Sequence, residues 1–318
     1  MPLITAGTIT YGTSNISQVY KGRDLIWPVE MPTSGDYLNF QILTGGTLTF
    51  KSDNGYIGDI DVMYSRNSGN TWNTQTVPWT HDPVSIHVSA GEVILLKAID
   101  EVYHGTSKIA HLDMSGSTAY FNIRGNIMSL LYGDMFLRKN SLLVNAQFTS
   151  LFGGTNVVSA GDLILPSTRL KYYCYGYMFG SCKSLTIPPK LPATILASNC
   201  YMDMFSGCNS LLIAPELPAT TLYDGCYESM FSGCYSLTTA PELKAARIAD
   251  GAYKNMFYGC SRLNYIKCLA TDVSGYECTY NWAKDVASDG TFVKAANMSS
   301  WTTGSDGIPS GWTIIDNQ

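Results

Sequence analysis

Cysteine is the residue type whose chemistry and spacing first need an interpretation in this chain of 318 residues, which contains nine cysteines. The stretch CYESMFSGCYSLTTAPEL (226–243) repeats CYMDMFSGCNSLLIAPEL (200–217) at a distance of 26 residues. Such thiols could bind zinc, form disulfides or fill a core. Zinc sites use cysteine pairs separated by only about two to four residues, whereas seven residues separate each pair here.

The recurring cysteines form two columns, and one substitution separates the three interpretations. The fourth repeat has Ala252 where the other three have cysteine. A metal ligand or a disulfide partner is lost on replacement by alanine, whereas a small buried residue is hardly changed. We therefore expect reduced, buried thiols, with disulfides between neighbouring repeats as the alternative and metal as the least favoured interpretation. The predicted structural ladder consists of Cys182, Cys208, Cys234 and Cys260 in one column and Cys174, Cys200 and Cys226 in the other, with Cys268 and Cys278 outside both.

Histidine and carboxylate patterns do not indicate a catalytic or metal-binding site. His104 and His111 lack carboxylates at ligand spacing, and the aspartates within 53–61 miss the spacing of a calcium loop. The sequence has no phosphate-binding loop, dinucleotide fingerprint or serine nucleophile elbow. We predict no catalytic residue, no metal and no cofactor.

The stretch SRNSGNTW (65–72) is similar to the Asp-box hairpin S-x-D-x-G-x-T-W, with Asn67 in place of the aspartate. Asp-boxes are best known from sialidases, which raises a glycan-processing enzyme as one hypothesis. The motif is, however, a folding device, and no arginine cluster accompanies it to bind a carboxylate. We expect it to shape a hairpin, with Gly69 at positive φ and Trp72 beneath the turn.

The repeat itself predicts the architecture of the second half of the chain. Columns of Tyr, Met, Phe and Leu recur with the cysteines, and a degenerate copy with Phe148 and Phe152 precedes them. A unit of this size cannot cover its own apolar face, so neighbouring units must stack. Apolar spacing of three and four residues predicts a short helical turn in each unit, followed by a strand that a proline ends. The four repeats are Lys171–Leu196, Ala197–Leu222, Tyr223–Ile248 and Ala249–Ser274.

The pattern MF-x-G-C-x-S-L resembles the leucine-rich repeats of BspA-like proteins. The return LPATTL (217–222) and the C-terminal stretch TYNWAKDVASDGTFVKAA…GIPSGWTI resemble a subgroup of gut bacteria and their phages. The resemblance covers about residues 125 to 318 and implies a leucine-rich-repeat solenoid with a role in surface attachment or virion structure. It implies no catalytic residue.

The rest of the chain completes the predicted fold, which is β-rich. Short alternating runs separated by Gly, Asn and Asp predict an antiparallel β-sandwich over 31–124. Residues 1–30 read as a docking arm or hairpin, since YKGRDLIW resembles the start of phage structural proteins, or alternatively as a first strand of the sandwich. The solenoid with its N-terminal cap spans 125–274. In 275–318 we expect a cap with a helix over Thr279–Ala287, pairing of TFVKA with GWTII, and tryptophans 282, 301 and 312 as a lid.

Composition and charge exclude some kinds of binding partner and some cellular locations. The net charge is −5 without a basic cluster, which argues against nucleic acid. No apolar run is long enough to cross a bilayer, so we expect no membrane insertion. The chain starts with Met and has no secretory signal, which favours a virion location over a bacterial cell surface. The leading hypothesis is a non-enzymatic structural or recognition protein of a phage particle, such as a fibre or decoration protein; the alternative is a bacterial cell-surface adhesin.

The predicted partners are other virion proteins, or a host-surface protein or glycan, and the chain could also form a homo-oligomer. With the Leu237 column facing inward, its neighbours on the strand face outward and differ between repeats. A fixed scaffold with a varied face is typical of a binding surface, although relaxed surface drift gives the same pattern. The candidate binding residues are Thr186, Leu212, Thr238 and Asn264, with Tyr235 and Tyr265 as stacking residues.

Overall fold

A computed structural model describes residues 32–52, 59–99, 112–299 and 301–317 in full, and five short strands within residues 1–31. The chain is β-rich, as predicted. Strands β1 to β3 form one antiparallel sheet, and β4 pairs antiparallel with β5. Their bounds are Leu3–Thr5 (β1), Thr8–Tyr11 (β2), Ser14–Ile16 (β3), Val19–Lys21 (β4) and Asp24–Trp27 (β5).

Two further sheets are formed mainly by the region predicted to be a sandwich. One has the strand order β10-β7-β12 and the other β14-β13-β6-β11-β8-β9. Their apolar residues belong to one continuous hydrophobic cluster. Pairing is antiparallel except between β13 and β14. The strands are Leu38–Thr44 (β6), Gly46–Ser52 (β7), Ile60–Ser65 (β8), Asn73–Val77 (β9), Val84–Val88 (β10), Val93–Ala98 (β11), Leu112–Asp113 (β12), Tyr120–Asn126 (β13) and Asn156–Ile164 (β14).

The larger sheet continues across the predicted boundary between residues 124 and 125. The boundary lies inside β13, and the parallel partner β14 belongs to the second half of the chain. A short helix, α1 (Ser129–Tyr132), and a 3₁₀ turn (Gly133–Met135) follow β13. Four apolar residues of this segment, which was predicted to form the N-terminal cap, are buried, namely Ile127, Leu130, Leu131 and Phe136.

The Asp-box sequence forms the turn between β8 and β9. Asn67 accepts hydrogen bonds at Oδ1 from Ser65 Oγ and from the Thr71 amide, both at 2.9 Å. Ser65 Oγ accepts the Gly69 amide at 3.0 Å, and Gly69 has φ +85°. An asparagine oxygen therefore replaces the usual carboxylate as the acceptor that organises the turn. The ring of Trp72 packs on the ammonium group of Lys97, 4.4 Å away.

The repeats stack, but the predicted helical turn in each repeat is wrong. Amide groups at alternate positions bond in different directions. The amides of Cys200, Met202 and Met204 donate to the carbonyl three residues earlier in the same repeat. Those of Tyr201 and Phe205 instead donate to carbonyls 25 residues ahead, in the next repeat, at 3.1 and 3.0 Å. An α-helix would direct every amide along its own axis, so this segment is a chain of overlapping turns joined sideways to its neighbours.

Positive φ angles at every fourth residue produce this turn pattern. In the third repeat Gly225, Ser229 and Gly233 have φ of 59°, 54° and 71°. Glycine adopts this conformation without cost, and asparagine and aspartate tolerate it better than other side chains. The sequence follows the rule at Asn199, Asp203, Gly207, Gly251, Asn255 and Gly259.

The predicted strand in each repeat is also absent from most repeats. Only β15 (Tyr265–Cys268), in the fourth repeat, is a regular strand; other contacts are isolated parallel bridges, such as Thr239 with Tyr265. Parallel strands β16 (Thr291–Ala295) and β17 (Thr313–Asn317) extend β15. The predicted pairing of TFVKA with GWTII is therefore confirmed.

Two ladders of stacked aromatic rings fill the core between the turns. In the tyrosine ladder, rings of successive coils stack on each other, with 5.8 Å between the ring centroids of Tyr201 and Tyr227, for example. The phenylalanine ladder runs beside it, with 5.8 Å between Phe205 and Phe231. Both ladders include the degenerate repeat, where Phe148 stacks on Tyr175 and Phe152 on Phe179.

The predicted helix over Thr279–Ala287 is instead a fifth coil of the same turn type. Its carbonyls accept amides from the fourth repeat, as in Phe257 N to Trp282 O at 2.8 Å. Trp282 occupies the methionine column, where its indole stacks on Tyr253 at 6.1 Å and contacts Phe257 at 6.2 Å. Trp301 stacks on its other side at 5.5 Å. One fully buried indole therefore ends both ladders. In the described part of the chain, no helix has the length and apolar character to span a membrane.

Replacing Trp282 with alanine should lower the free energy of unfolding by about 3–5 kcal/mol, because it removes the ring that closes both ladders. The matched control is Trp79→Ala, since the Trp79 side chain is 51% exposed and its loss should change stability by less than about 0.5 kcal/mol. Urea unfolding followed by circular dichroism measures both. Equal losses for the two variants would contradict the capping role.

Candidate functional site

One column of cysteines joins neighbouring repeats through its thiols. Cys208 Sγ donates to Phe179 O at 3.1 Å, Cys234 Sγ to Phe205 O at 3.2 Å, and Cys260 Sγ to Phe231 O at 3.0 Å. Each acceptor carbonyl also receives the amide of the cysteine in its own repeat. The thiol therefore uses the second lone pair of a carbonyl in the preceding coil.

The second column has no comparable bond. The Sγ–carbonyl distances are 3.9 Å for Cys174 and 4.0 Å for Cys200, which is the length of a van der Waals contact rather than of the short bonds in the first column. Ala252 occupies this column in the fourth repeat and is fully buried. The alanine therefore appears in the column where sulfur does little more than fill space.

All nine cysteines are free and buried in this structure. Burial is the main cause that raises the pKa of the Cys182 and Cys260 thiols to about 12. Thiolate is the form that acts as a nucleophile and a metal ligand. In the described ranges no three His, Cys, Asp or Glu side chains are grouped so as to hold a metal ion. His104, His111 and Asp53 lie outside the described residues.

The predicted outward column lies on one side of the stacked coils, but its members differ in exposure. Leu212 is 56% exposed, Tyr235 is 51% exposed, and Thr238 and Asn264 are also exposed. The Asn264 amide donates to Thr238 O at 3.0 Å, which places these two on neighbouring coils. The remaining two candidates, Thr186 and Tyr265, are only half-buried and take part in backbone bonds.

A groove opens on this side between the first and second repeats. It has a volume of 580 Å³ and is lined by residues 186–192 on one coil and by 213–216 and Pro218 on the next. Its rim carries Ile187 and Ile213, which are 53% and 71% exposed. Such an exposed apolar surface on a rigid scaffold is typical of an interaction site.

Missing backbone bonds explain why the groove is open. Within residues 112–299, all of which the structure describes, no backbone hydrogen bond joins 186–192 to 212–218. Proline has no amide hydrogen to donate, and five of the groove-lining residues are prolines. The coils are thus held together on the turn side and separate on the proline side.

A second, smaller groove follows on the next coil. It has a volume of 260 Å³, shares Ala214, Pro215 and Glu216 with the first groove, and is closed by Pro241, Glu242 and Lys244. Glu242 forms an ion pair with Lys267 at 2.8 Å, and the hydrogen bond from Lys267 lowers the pKa of the Glu242 carboxyl. The groove surface therefore combines apolar walls with isolated charges on its rim.

The turn side of the stack carries a carboxyl group with an unusual titration. Burial, and next the nearby Glu228 carboxyl, raise the pKa of Asp203 to about 6, against a smaller opposing effect of Ser206. Burial also raises the pKa of Glu228, whereas Lys254 lowers it. Lys254 itself pairs with Glu277 at 2.6 Å.

The grooves were missed by reasoning on sequence columns, which considered only the strand residues next to Leu237. The available signal was the proline content of IPPKLP (187–192) and IAPELP (213–218), which is incompatible with a continuous strand ladder. No protein-family model, curated protein or solved structure matches this chain.

Replacing Cys234 with alanine should destabilise the protein by about 0.5–1 kcal/mol more than replacing Cys226, because of these two thiols only that of Cys234 makes a short hydrogen bond to the preceding coil. Cys226 is the matched control, since it is equally buried and its column accepts Ala252. Urea unfolding of both variants measures the difference. A larger loss for Cys226→Ala would contradict the assignment.

Ionisation of Asp203 should lower the free energy of unfolding of the protein as the pH rises from about 4 to about 6. The folded-state pKa is about 6, above an unfolded value of about 3.9, so the folded protein holds the extra proton in this interval. Asp203→Asn should remove Asp203's part of this slope and add about 1 kcal/mol at pH 7, after allowance for solvent screening of a partly exposed group. At pH 4 the two proteins should be equally stable. Thermal unfolding at both pH values tests this, and an unchanged slope would contradict it.

Proposed function

We propose that this protein is a non-enzymatic recognition or structural protein that presents its proline-lined groove surface to a partner. The observation that carries the proposal is the combination of a groove between coils with Ile213, the most exposed aliphatic side chain of the described residues. The recurring cysteines support the non-enzymatic part of the proposal, because their thiols are used for packing and for hydrogen bonds between coils.

We further propose that the stacked coils are a divergent solenoid of the leucine-rich-repeat kind, related to BspA-like proteins. The support is the 26-residue period of the side-chain ladders and the sideways hydrogen bonds between repeats. The departure from that kind is the replacement of helical turn and strand by overlapping turns and isolated bridges.

The proposed setting is a phage particle, with the repeats directed at a host-surface protein or glycan or at another virion protein. The support is sequence resemblance alone: MF-x-G-C-x-S-L in the repeats and YKGRDLIW near the start. The competing setting is the surface of a bacterial cell. Antibody labelling of purified phage particles and of cell envelopes distinguishes the two settings.

Ile213→Glu should weaken binding to the partner by about tenfold or more, because it places a charge in the apolar groove. The matched control is Ile315→Glu on β17, where the isoleucine is 47% exposed and lies outside the groove. Fluorescently labelled protein is titrated onto a panel of gut bacterial strains and onto purified phage particles. Equal binding by both variants would show that the groove is not the recognition surface.

A further inference from the structure

A third concave site lies on the outer face of the larger sheet, away from the two repeat grooves. It has a volume of 540 Å³ and is enclosed by side chains from four strands and two loops. Its lining is about half polar, in contrast to the mainly apolar, proline-lined groove between the first and second repeats. The polar members that matter here are Asn39, Gln41, Arg124 and Asp162.

Strand register places these polar groups side by side. Asn39 lies opposite Arg124 across β6 and β13, and Arg124 lies opposite Asp162 across β13 and β14. Gln41 lies two residues from Asn39 and therefore on the same face. The alternate residues Leu38, Phe40 and Ile42 are buried in the core. The site is thus a fixed row of hydrogen-bonding groups on a rigid sheet.

An ion pair at one end of the row leaves atoms free for a ligand. Arg124 Nε and Nη2 both lie 2.9 Å from the same oxygen, Oδ2 of Asp162. The second carboxylate oxygen and the Nη1 group take no part in this pair. They leave one acceptor and one donor for the hydroxyl groups of a ligand.

The remaining surface of the site is apolar. Leu95 and Val93 lie on β11 and Ile164 lies on β14, and all three line the depression. Leu95 is buried, whereas Ile164 is 50% exposed. A ligand for this site therefore needs a face of hydroxyls or amides and a face of carbon–hydrogen groups.

The Asp-box turn supplies one wall. Ser68 lines the depression, and the backbone at Gly69 lies close to Leu95, since a Cβ placed there would be 3.7 Å from Leu95 Cδ1. The hydrogen bonds around Asn67 hold this turn in place. The motif thus helps to build a site without contributing a reactive group.

We propose that this depression binds a neutral saccharide, with Arg124 and Asp162 holding hydroxyl groups of the sugar and the aliphatic residues packing against its ring. The charges of the two residues cancel, so the site has no excess positive charge with which to hold a carboxylate or a phosphate. This excludes acidic sugars as the preferred ligand.

This site does not depend on the proposed function of the repeat grooves. The two surfaces have no lining residue in common. Ile213→Glu should leave saccharide binding unchanged, so failure of one proposal is distinguishable from failure of the other.

The test is a glycan array probed with the full chain, followed by saturation-transfer NMR titration of the best neutral glycan. Arg124→Gln and Asp162→Asn should each weaken that binding by about tenfold, since each removes a charge-assisted hydrogen bond to the ligand. The matched control is Arg247→Gln, which breaks an exposed ion pair with Asp272 of 3.4 Å elsewhere on the surface and should have no effect on binding.

Three outcomes would overturn the proposal. They are the absence of any neutral glycan that binds, a preference for acidic glycans, and equal binding by the Arg124→Gln and Arg247→Gln variants. Circular dichroism of each variant tests whether the fold is retained. Asp162→Asn is the variant expected to disturb folding least, because the Asp162 side chain is 67% exposed.

Discussion

The stack of repeats depends on one constraint: every backbone amide of a turn segment needs a hydrogen-bond acceptor. The segment is too irregular to supply all of these acceptors itself. Alternate amides solve this by donating to the next coil. Buried amides without partners are costly, so each coil requires its neighbour in a fixed register. That register then sets the ring spacing of both aromatic ladders and brings each Cys Sγ of the first column to a carbonyl of the preceding coil. Packing follows from the backbone bonding rather than the reverse.

The same constraint explains the ends of the stack. A terminal coil would expose both unpaired backbone groups and the faces of two ladders. At the front, Phe148 and Phe152 continue the ladders, and Phe40 of β6 contacts the Phe152 ring at 6.2 Å. At the back, Trp282 covers both ladders at once and donates its Nε1 hydrogen to Gly307 O at 2.7 Å. Its larger ring replaces a methionine because it must cover two columns of rings.

The side-chain columns could be predicted from the sequence, whereas the backbone conformation could not. The period of 26 identified which residues stack, and the burial of the cysteines in its two columns follows from it. The helical turn was wrong because apolar residues three and four apart also arise in overlapping turns. The left-handed residues include Tyr173 and Tyr177, whose side chains give no hint of positive φ. The polar row on the sheet depends on the register of β6, β13 and β14, which no single segment encodes.

The depression on the sheet and the grooves between the coils both follow from backbone hydrogen bonding, which is complete at the first and interrupted at the second. On the sheet, complete pairing fixes Asn39, Arg124 and Asp162 in one row, so their positions are set before any ligand arrives. Between the coils, proline removes donors and the backbone cannot close, so an apolar opening remains beside a fully bonded turn segment. A ligand that binds either surface need not order the protein, which lowers the entropic cost of association. Both surfaces are therefore preorganised, one by hydrogen bonds that are made and the other by hydrogen bonds that proline prevents.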